Sequence, residues 1–182
     1  MISIKTNRLI LREYREGDWE SVHQYAQQEK ILIYEDWGPN SEDQTKEFVR
    51  KAVEDSKQIQ RKTFELGITL KNTKELIGGC SFRIKKDNIN RGDFGYIINP
   101  LYWNKGFATE ASEGLLAFMI SNHGITQIEA TCDVLNLASK RVLEKCGMKA
   151  KKEFTNAINS KGRIRTSFYF EKIIKSSHLP SR

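Results

Sequence analysis

Cysteine is scarce in this chain: Cys80, Cys132 and Cys146 are the only three among 182 residues. They sit inside apolar strand or helix patterns without the spacing of metal ligands, and they read as buried reduced thiols. Neither His123 nor His178 completes a metal pattern with them, so no metal is expected. Long hydrophobic runs are also missing. No apolar segment approaches the length of a membrane span, and Met1-Ile2-Ser3-Ile4-Lys5 lacks the apolar region of a secretory signal. The expectation is a cytoplasmic protein with no membrane partner. No Gly-Lys-Ser/Thr follows four variable residues, and the second glycine of the dinucleotide fingerprint is absent. ATP and dinucleotide sites are therefore disfavoured.

With 38% hydrophobic residues, 182 positions suffice for one domain with a substantial core. The net charge of +7 is scattered along the chain. Its densest runs, Arg83-Ile84-Lys85-Lys86 and Lys149-Ala150-Lys151-Lys152, read as solvated strand ends. Direct nucleic-acid binding is not expected, whereas a general positive field would speed the capture of any small anionic ligand.

The most informative segment is Gly95-Tyr96-Ile97-Ile98-Asn99-Pro100, followed by Leu101-Tyr102-Trp103-Asn104-Lys105-Gly106-Phe107-Ala108-Thr109-Glu110-Ala111 and an apolar helical stretch. A strand delivers a glycine loop to a helix N-terminus, where unpaired backbone N–H groups and the positive end of the helix dipole can hold a phosphate. Ala108, small and two places after Gly106, allows a pyrophosphate to approach the backbone. The plain alternative is a glycine that merely turns the chain into a helix.

Around this segment the pattern gives a coarse order. Arg8 to Tyr14 alternates as a first strand, and Asp18 to Gln28 reads as a helix capped by Asp18, with Trp19, Val22, His23, Tyr25 and Ala26 on its inner face. Asp36-Trp37-Gly38-Pro39 is a loop, and Ser41 caps a second helix reaching about Gln60. Phe64 to Leu70 and Leu76 to Ile84 form a hairpin around Lys71-Asn72-Thr73-Lys74, and Phe94 to Ile98 is the fourth strand. The fifth strand is Ile128 to Val134, then a helix from Leu137 closed by Gly147, then strands near Met148 to Phe154 and Arg165 to Phe170. No repeat or long linker interrupts this α+β order. Residues 1–175 are expected to form one domain, and 176–182 a frayed polar tail.

The helix after the fifth strand carries Asn136-Leu137-Ala138-Ser139-Lys140-Arg141-Val142-Leu143-Glu144-Lys145-Cys146-Gly147. Read as Asn-x-x-Ser-x-Arg-x-x-Glu-Lys-x-Gly downstream of the Gly-x-Ala loop, it resembles the GNAT superfamily of acyl-CoA N-acyltransferases. Thr6-Asn7-Arg8-Leu9-Ile10-Leu11-Arg12, with Asp18 beyond, resembles its branch of ribosomal-protein N-terminal acetyltransferases of the RimJ and RimL type. The resemblance runs from about Thr6 to Phe170. It implies a mixed, mostly antiparallel sheet of about seven strands, splayed between the fourth and fifth and flanked by about four helices. It also implies acetyl-CoA as cosubstrate, a homodimer, and a primary amine as acceptor. That amine is a protein N-terminus in this branch, with an amino acid, a polyamine or an antibiotic as the small-molecule alternative.

Acetyl transfer to an alkylammonium needs a base, a polarised thioester carbonyl and a leaving thiolate. The resemblance implies that Asn104, Lys105, Gly106, Phe107, Ala108 and Thr109 hold the pyrophosphate, that Trp103 also contacts the cofactor, and that Asn136 bonds the pantetheine arm. It also implies that a backbone N–H at Ile97 or Ile98 polarises the carbonyl. Leu143 stands where the wider family places an acidic tyrosine, which keeps a noncatalytic acyl-CoA-binding protein open as an alternative. The RimJ and RimL branch instead points to Ser139 beside the sulfur; its other reading is a serine satisfying helix donors, and that of Asn136 is a helix cap. Asp93 is the first choice of base, with Asp133, Glu35 and Asp36 as rivals and His23 more suited to packing. Tyr34 and Trp37 are candidates for the acceptor pocket, or equally plugs of the core.

Overall fold

Apolar residues at alternate positions of Leu9–Glu13, Thr63–Leu70 and Leu76–Ile84 commit one face of each strand to a core, and glycines thin the other face. In the computed structural model, which describes residues 2–155 and 165–174, eight strands form one sheet in the order β1-β2-β3-β4-β5-β6-β8-β7. The strands are β1 (Ser3–Lys5), β2 (Leu9–Glu13), β3 (Thr63–Leu70), β4 (Leu76–Ile84), β5 (Arg91–Ile98), β6 (Gln127–Asp133), β7 (Lys149–Thr155) and β8 (Thr166–Ile173). Four α-helices flank them: α1 (Trp19–Ala26), α2 (Glu42–Ser56), α3 (Phe107–His123) and α4 (Leu137–Lys145). The α+β class and splayed sheet are as expected. The eighth strand is β1, three residues pairing with β2 at the sheet edge, too short to register as a pattern. The expected tail at 176–182, and His178 within it, lie outside the described residues.

Two helix starts contrast. Ser41 caps α2 as expected, its hydroxyl accepting from the Gln44 N–H at 3.2 Å while the Gln44 side chain accepts from the Ser41 N–H at 2.8 Å. Asp18 does not cap α1 through its side chain. Its carboxylate accepts instead from the Arg15 N–H at 2.7 Å and from both ends of the Arg12 guanidinium at 2.6 and 2.8 Å. The Thr6–Arg12 segment thereby recruits the acid to hold β2, not to start the helix.

The sheet is covered on both faces. One face packs Leu9, Leu11, Phe64, Leu66, Ile68 and Phe82 against Leu115 and Met119 of α3 and Leu143 of α4. The other carries Tyr14 and Leu76 against Val22, Tyr25 and Ala26 of α1 and Val49 and Ala52 of α2. Apolar burial on both sides is the dominant stabilising term.

All neighbouring strands are antiparallel except β5 and β6, which run parallel and share only the pairs Arg91↔Gln127, Gly92↔Ile128 and Asp93↔Glu129. Beyond Asp93 the two part: β5 stays with β4 as far as Gly78↔Ile98, while β6 stays with β8 as far as Asp133↔Ser167. The gap between them is the splay expected between the fourth and fifth strands.

Beside this gap a Cβ on Gly78 would collide with the carbonyl oxygen of Ile97. That neighbour is backbone and cannot rotate away. Gly78→Ala is therefore expected to lower stability by about 2 kcal/mol, read as a lower urea midpoint at unchanged slope.

Candidate active site

Gly106 adopts φ +77°, a left-handed conformation that glycine tolerates, and this turns the chain from the Pro100–Tyr102 3-10 turn into α3. The first α3 bond is that of the Glu110 N–H to the Gly106 carbonyl at 3.1 Å, so the N–H groups of Phe107, Ala108 and Thr109 emerge at the helix end. The loop is pinned from below by the start of the chain. Glu110 accepts from Thr6 Oγ1 at 2.6 Å, from the Arg8 N–H at 2.6 Å and from Arg8 Nε at 2.7 Å. Arg8 also donates to the Lys105 carbonyl at 3.0 Å and lies over the Phe107 ring at 4.5 Å. Burial raises the Glu110 pKa, but the hydrogen bonds from Thr6 and Arg8 overcome it and hold the carboxyl below its ordinary range.

A cavity of about 580 Å³ opens above this helix end and runs into the gap between β5 and β6. Trp103, Asn104, Gly106, Phe107, Ala108, Thr109, Ile97, Ile98, Asn136, Ser139 and Tyr34 line it, so most of the expected donor-site residues come together. Lys105 does not line it; its ammonium donates to the Leu101 carbonyl at 3.2 Å. Trp103 Nε1 donates to the Ile98 carbonyl at 2.7 Å and so fixes the strand end. The two candidate amides separate by ladder alternation. Because the Asn99 N–H bonds the Ile77 carbonyl at 2.8 Å, the Ile97 N–H also faces β4, and the N–H groups of Tyr96 and Ile98 face the gap.

Asn136 Oδ1 accepts from the Ser139 N–H at 3.0 Å, capping α4 and leaving the amide nitrogen for a ligand. Ser139 Oγ accepts from the Tyr96 hydroxyl at 3.2 Å. Burial pushes the Tyr96 phenol well above its ordinary pKa and the Cys132 thiol up to about 11, so both stay protonated. Tyr96 was not singled out from the sequence, because nothing local shows that it meets a residue 43 positions away. Lys30, Arg141 and Lys145 were also missed as part of a basic lining, although Arg141 stands in the motif. Leu143 is buried in the main core.

The candidate bases disperse. Asp93 lies outside both cavities, at the closed end of the gap, with Lys85 Nζ at 2.5 Å and Arg83 at 3.9 Å. Asp133 accepts from the Leu135 N–H at 2.8 Å and sits 3.2 Å from Arg165 Nε, while Asp36 pairs with the same guanidinium at 2.8 Å. His23 Nδ1 lies 3.0 Å from Thr45 Oγ1, between α1 and α2. His123 packs edge-on against Phe64 and Phe118. Glu35 alone of these lines a second cavity, of about 400 Å³, on the α1 and α2 side. That cavity also takes in Trp37, Tyr14, Tyr25, Phe48, Glu65 and Ser81, and shares Glu35, Tyr96 and Ile97 with the first. Among the described residues no group of three or more His, Cys, Asp or Glu is placed to hold a metal.

A helix end suited to pyrophosphate, a splayed sheet and a hydroxyl pair at the gap define an acyl-CoA site, and the chain belongs to the GNAT acetyltransferase family. The family model for the acetyltransferase (GNAT) domain matches residues 8–149. YnaD of Bacillus subtilis (strain 168), an uncharacterised N-acetyltransferase, is 31% identical over 155 residues, covering 85% of this chain and 87% of YnaD. A GNAT-family acetyltransferase from Bacillus anthracis superposes with a TM-score of 0.84 at 29% identity, over 94% of this chain and 98% of that one. RimL, a ribosomal-protein alpha-N-acetyltransferase solved with coenzyme A, superposes with a TM-score of 0.83 at 20% identity, over 95% and 98% of the two chains. The protein is an N-acetyltransferase, and its acetyl donor is acetyl-CoA.

A side chain at position 106 strains a left-handed residue and crowds the exposed N–H groups. Gly106→Val is expected to weaken coenzyme A binding at least about tenfold by calorimetry, with an unchanged circular dichroism spectrum.

Proposed function

We propose that the acetyl group passes directly from the thioester to a primary amine in the gap between β5 and β6, without a covalent acyl-enzyme. The observation that carries this reading is the meeting of two cavities at Tyr96 and Ile97, one with the helix end and one without. In it, the α3 N-terminus takes the pyrophosphate, Lys30, Arg141 and Lys145 add positive charge, and the Asn136 amide nitrogen bonds the pantetheine arm. An N–H of Tyr96 or Ile98 polarises the carbonyl. Ser139, which accepts from Tyr96, offers its own hydrogen to the departing sulfur. Asp93, held by Lys85, receives no role; Glu35 and Glu65 are the carboxylates of the acceptor cavity.

The acceptor in this reading is a protein N-terminal amine, the activity that RimL's name carries. A small-molecule amine is the second reading, favoured by the volume of about 400 Å³ walled by Tyr14, Tyr25 and Phe48, room for a compact molecule. Tyr34 lines the donor cavity and Trp37 the acceptor cavity, so Trp37 is the aromatic assigned to the acceptor. A homodimer in the cytoplasm, with one domain over residues 1–175, completes the proposal.

Free-thiol release with acetyl-CoA against N-terminal peptides and small primary amines tests the acceptor; sedimentation velocity tests the dimer. Ser139→Ala and Tyr96→Phe are each expected to lower kcat at least about tenfold while coenzyme A affinity changes less than about threefold. Equal losses of affinity and turnover would reduce the pair to a binding contact.

A further inference from the structure

Strand register places Glu65 of β3 opposite Ser81 of β4, and Ser81 opposite Gly95 of β5, on the sheet face turned to α1 and α2. All three line the second cavity. Neighbouring strands lie about 4.8 Å apart, so the Cα of Glu65 is roughly 10 Å from that of Gly95, a distance that one hydroxyl bridges. Gly95 contributes no side chain, and a Cβ there would sit 3.6 Å from Ser81 Oγ, which leaves that hydroxyl open to β5. The rest of the wall is aromatic and aliphatic: Tyr14, Val22, Tyr25, Ala26 and Phe48.

Glu65 is half-buried in this setting, yet its carboxylate makes no hydrogen bond or ion pair with another described residue. A carboxylate on a cavity wall without a protein partner is open to a ligand's ammonium group. We propose that Glu65 is the proton acceptor of the acetyl acceptor's ammonium group, with Ser81 spanning the remaining distance to β5, and that the cavity admits a primary ammonium on a compact apolar body. This rests on amine acetylation at the β5–β6 gap. The ammonium gives one proton to Glu65, which later releases it to water. The nitrogen lone pair then forms the C–N bond, the C–S bond breaks, the nitrogen sheds a second proton and the sulfur takes one up. The sum is an amide, a thiol and one released proton.

Burial pushes the Glu65 carboxyl up to about 7. The charges that face it are Arg83 of β4, which lowers it, and Asp55 of α2, which raises it. Tyr14, Tyr25 of α1, Cys80 of β4 and Glu35 are the other titratable groups around the cavity. Arg83 is no fixed partner, since its side chain is 63% exposed and extends to Asp93. A protonated Glu65 cannot accept, so kcat/KM rises with pH through about 7.

The test uses the full chain with saturating coenzyme A, and benzylamine and the peptide Phe-Ala-Ala as probes that separate a free amine from a polypeptide N-terminus. Glu65→Gln is expected to bind coenzyme A normally and to weaken the preferred probe at least about tenfold. Benzyl alcohol should bind both proteins alike. With acetyl-CoA, the limb near pH 7 should vanish in Glu65→Gln and return, shifted, in Glu65→Asp. Equal probe affinity in Glu65→Gln, a persisting limb, or a wild type that holds coenzyme A but neither probe overturns the role of Glu65. A wild type that does not bind coenzyme A overturns the acetyl-transfer reading itself.

Discussion

Three parallel residue pairs, ending at Asp93↔Glu129, set the design of this molecule. Had β5 and β6 stayed together to their ends, the N–H groups of Tyr96 and Ile98 would be sealed in a ladder and no gap would exist. Parallel pairing also requires a crossover, and α3 is that crossover. Its N-terminus therefore begins at the end of the sheet where β5 stops, so that the anion site and the gap share one edge by topology. Asn99 and Pro100 make the departure firm. Asn99 still bonds β4 through its N–H, and Pro100 has none to offer.

The sheet then separates the two cavities by face. Tyr96 points toward α4 and meets Ser139, while Gly95 belongs to the other face with Ser81 and Glu65. A strand alternates sides at each residue, so adjacent positions of one segment face the two cavities. The donor side is stiffened by remote chain: Thr6 and Arg8, before and at the edge of β2, hold Glu110 in the first turn of α3. The other side keeps its space beside Gly95, where no side chain covers Ser81 Oγ.

Local patterns made two helix starts beside the first cavity readable. Gly106-Phe107-Ala108 and Asn136-Leu137-Ala138-Ser139 each describe a helix start, and a helix start is fixed by a few adjacent residues. The surroundings of the carboxylates were not readable in this way. Only register shows that Asp93 stands at the paired end of β5, beside Lys85. Glu65 looked like any polar residue alternating in a strand; the register that aligns it with Ser81 and Gly95 joins three strands from distant parts of the chain. Asp18 preceded a helix and looked like a cap, yet the neighbouring Arg12 is a stronger partner than a helix amide. β1 escaped notice because its pairing with β2 comes from the edge, not from its own composition.

The Tyr14 hydroxyl occupies the space a side chain at Gly79 would fill, and its ring also stands over Gly67. One phenol thus sets the depth of the second cavity on that side. A smaller residue at position 14 would deepen that cavity without altering the lining of the first.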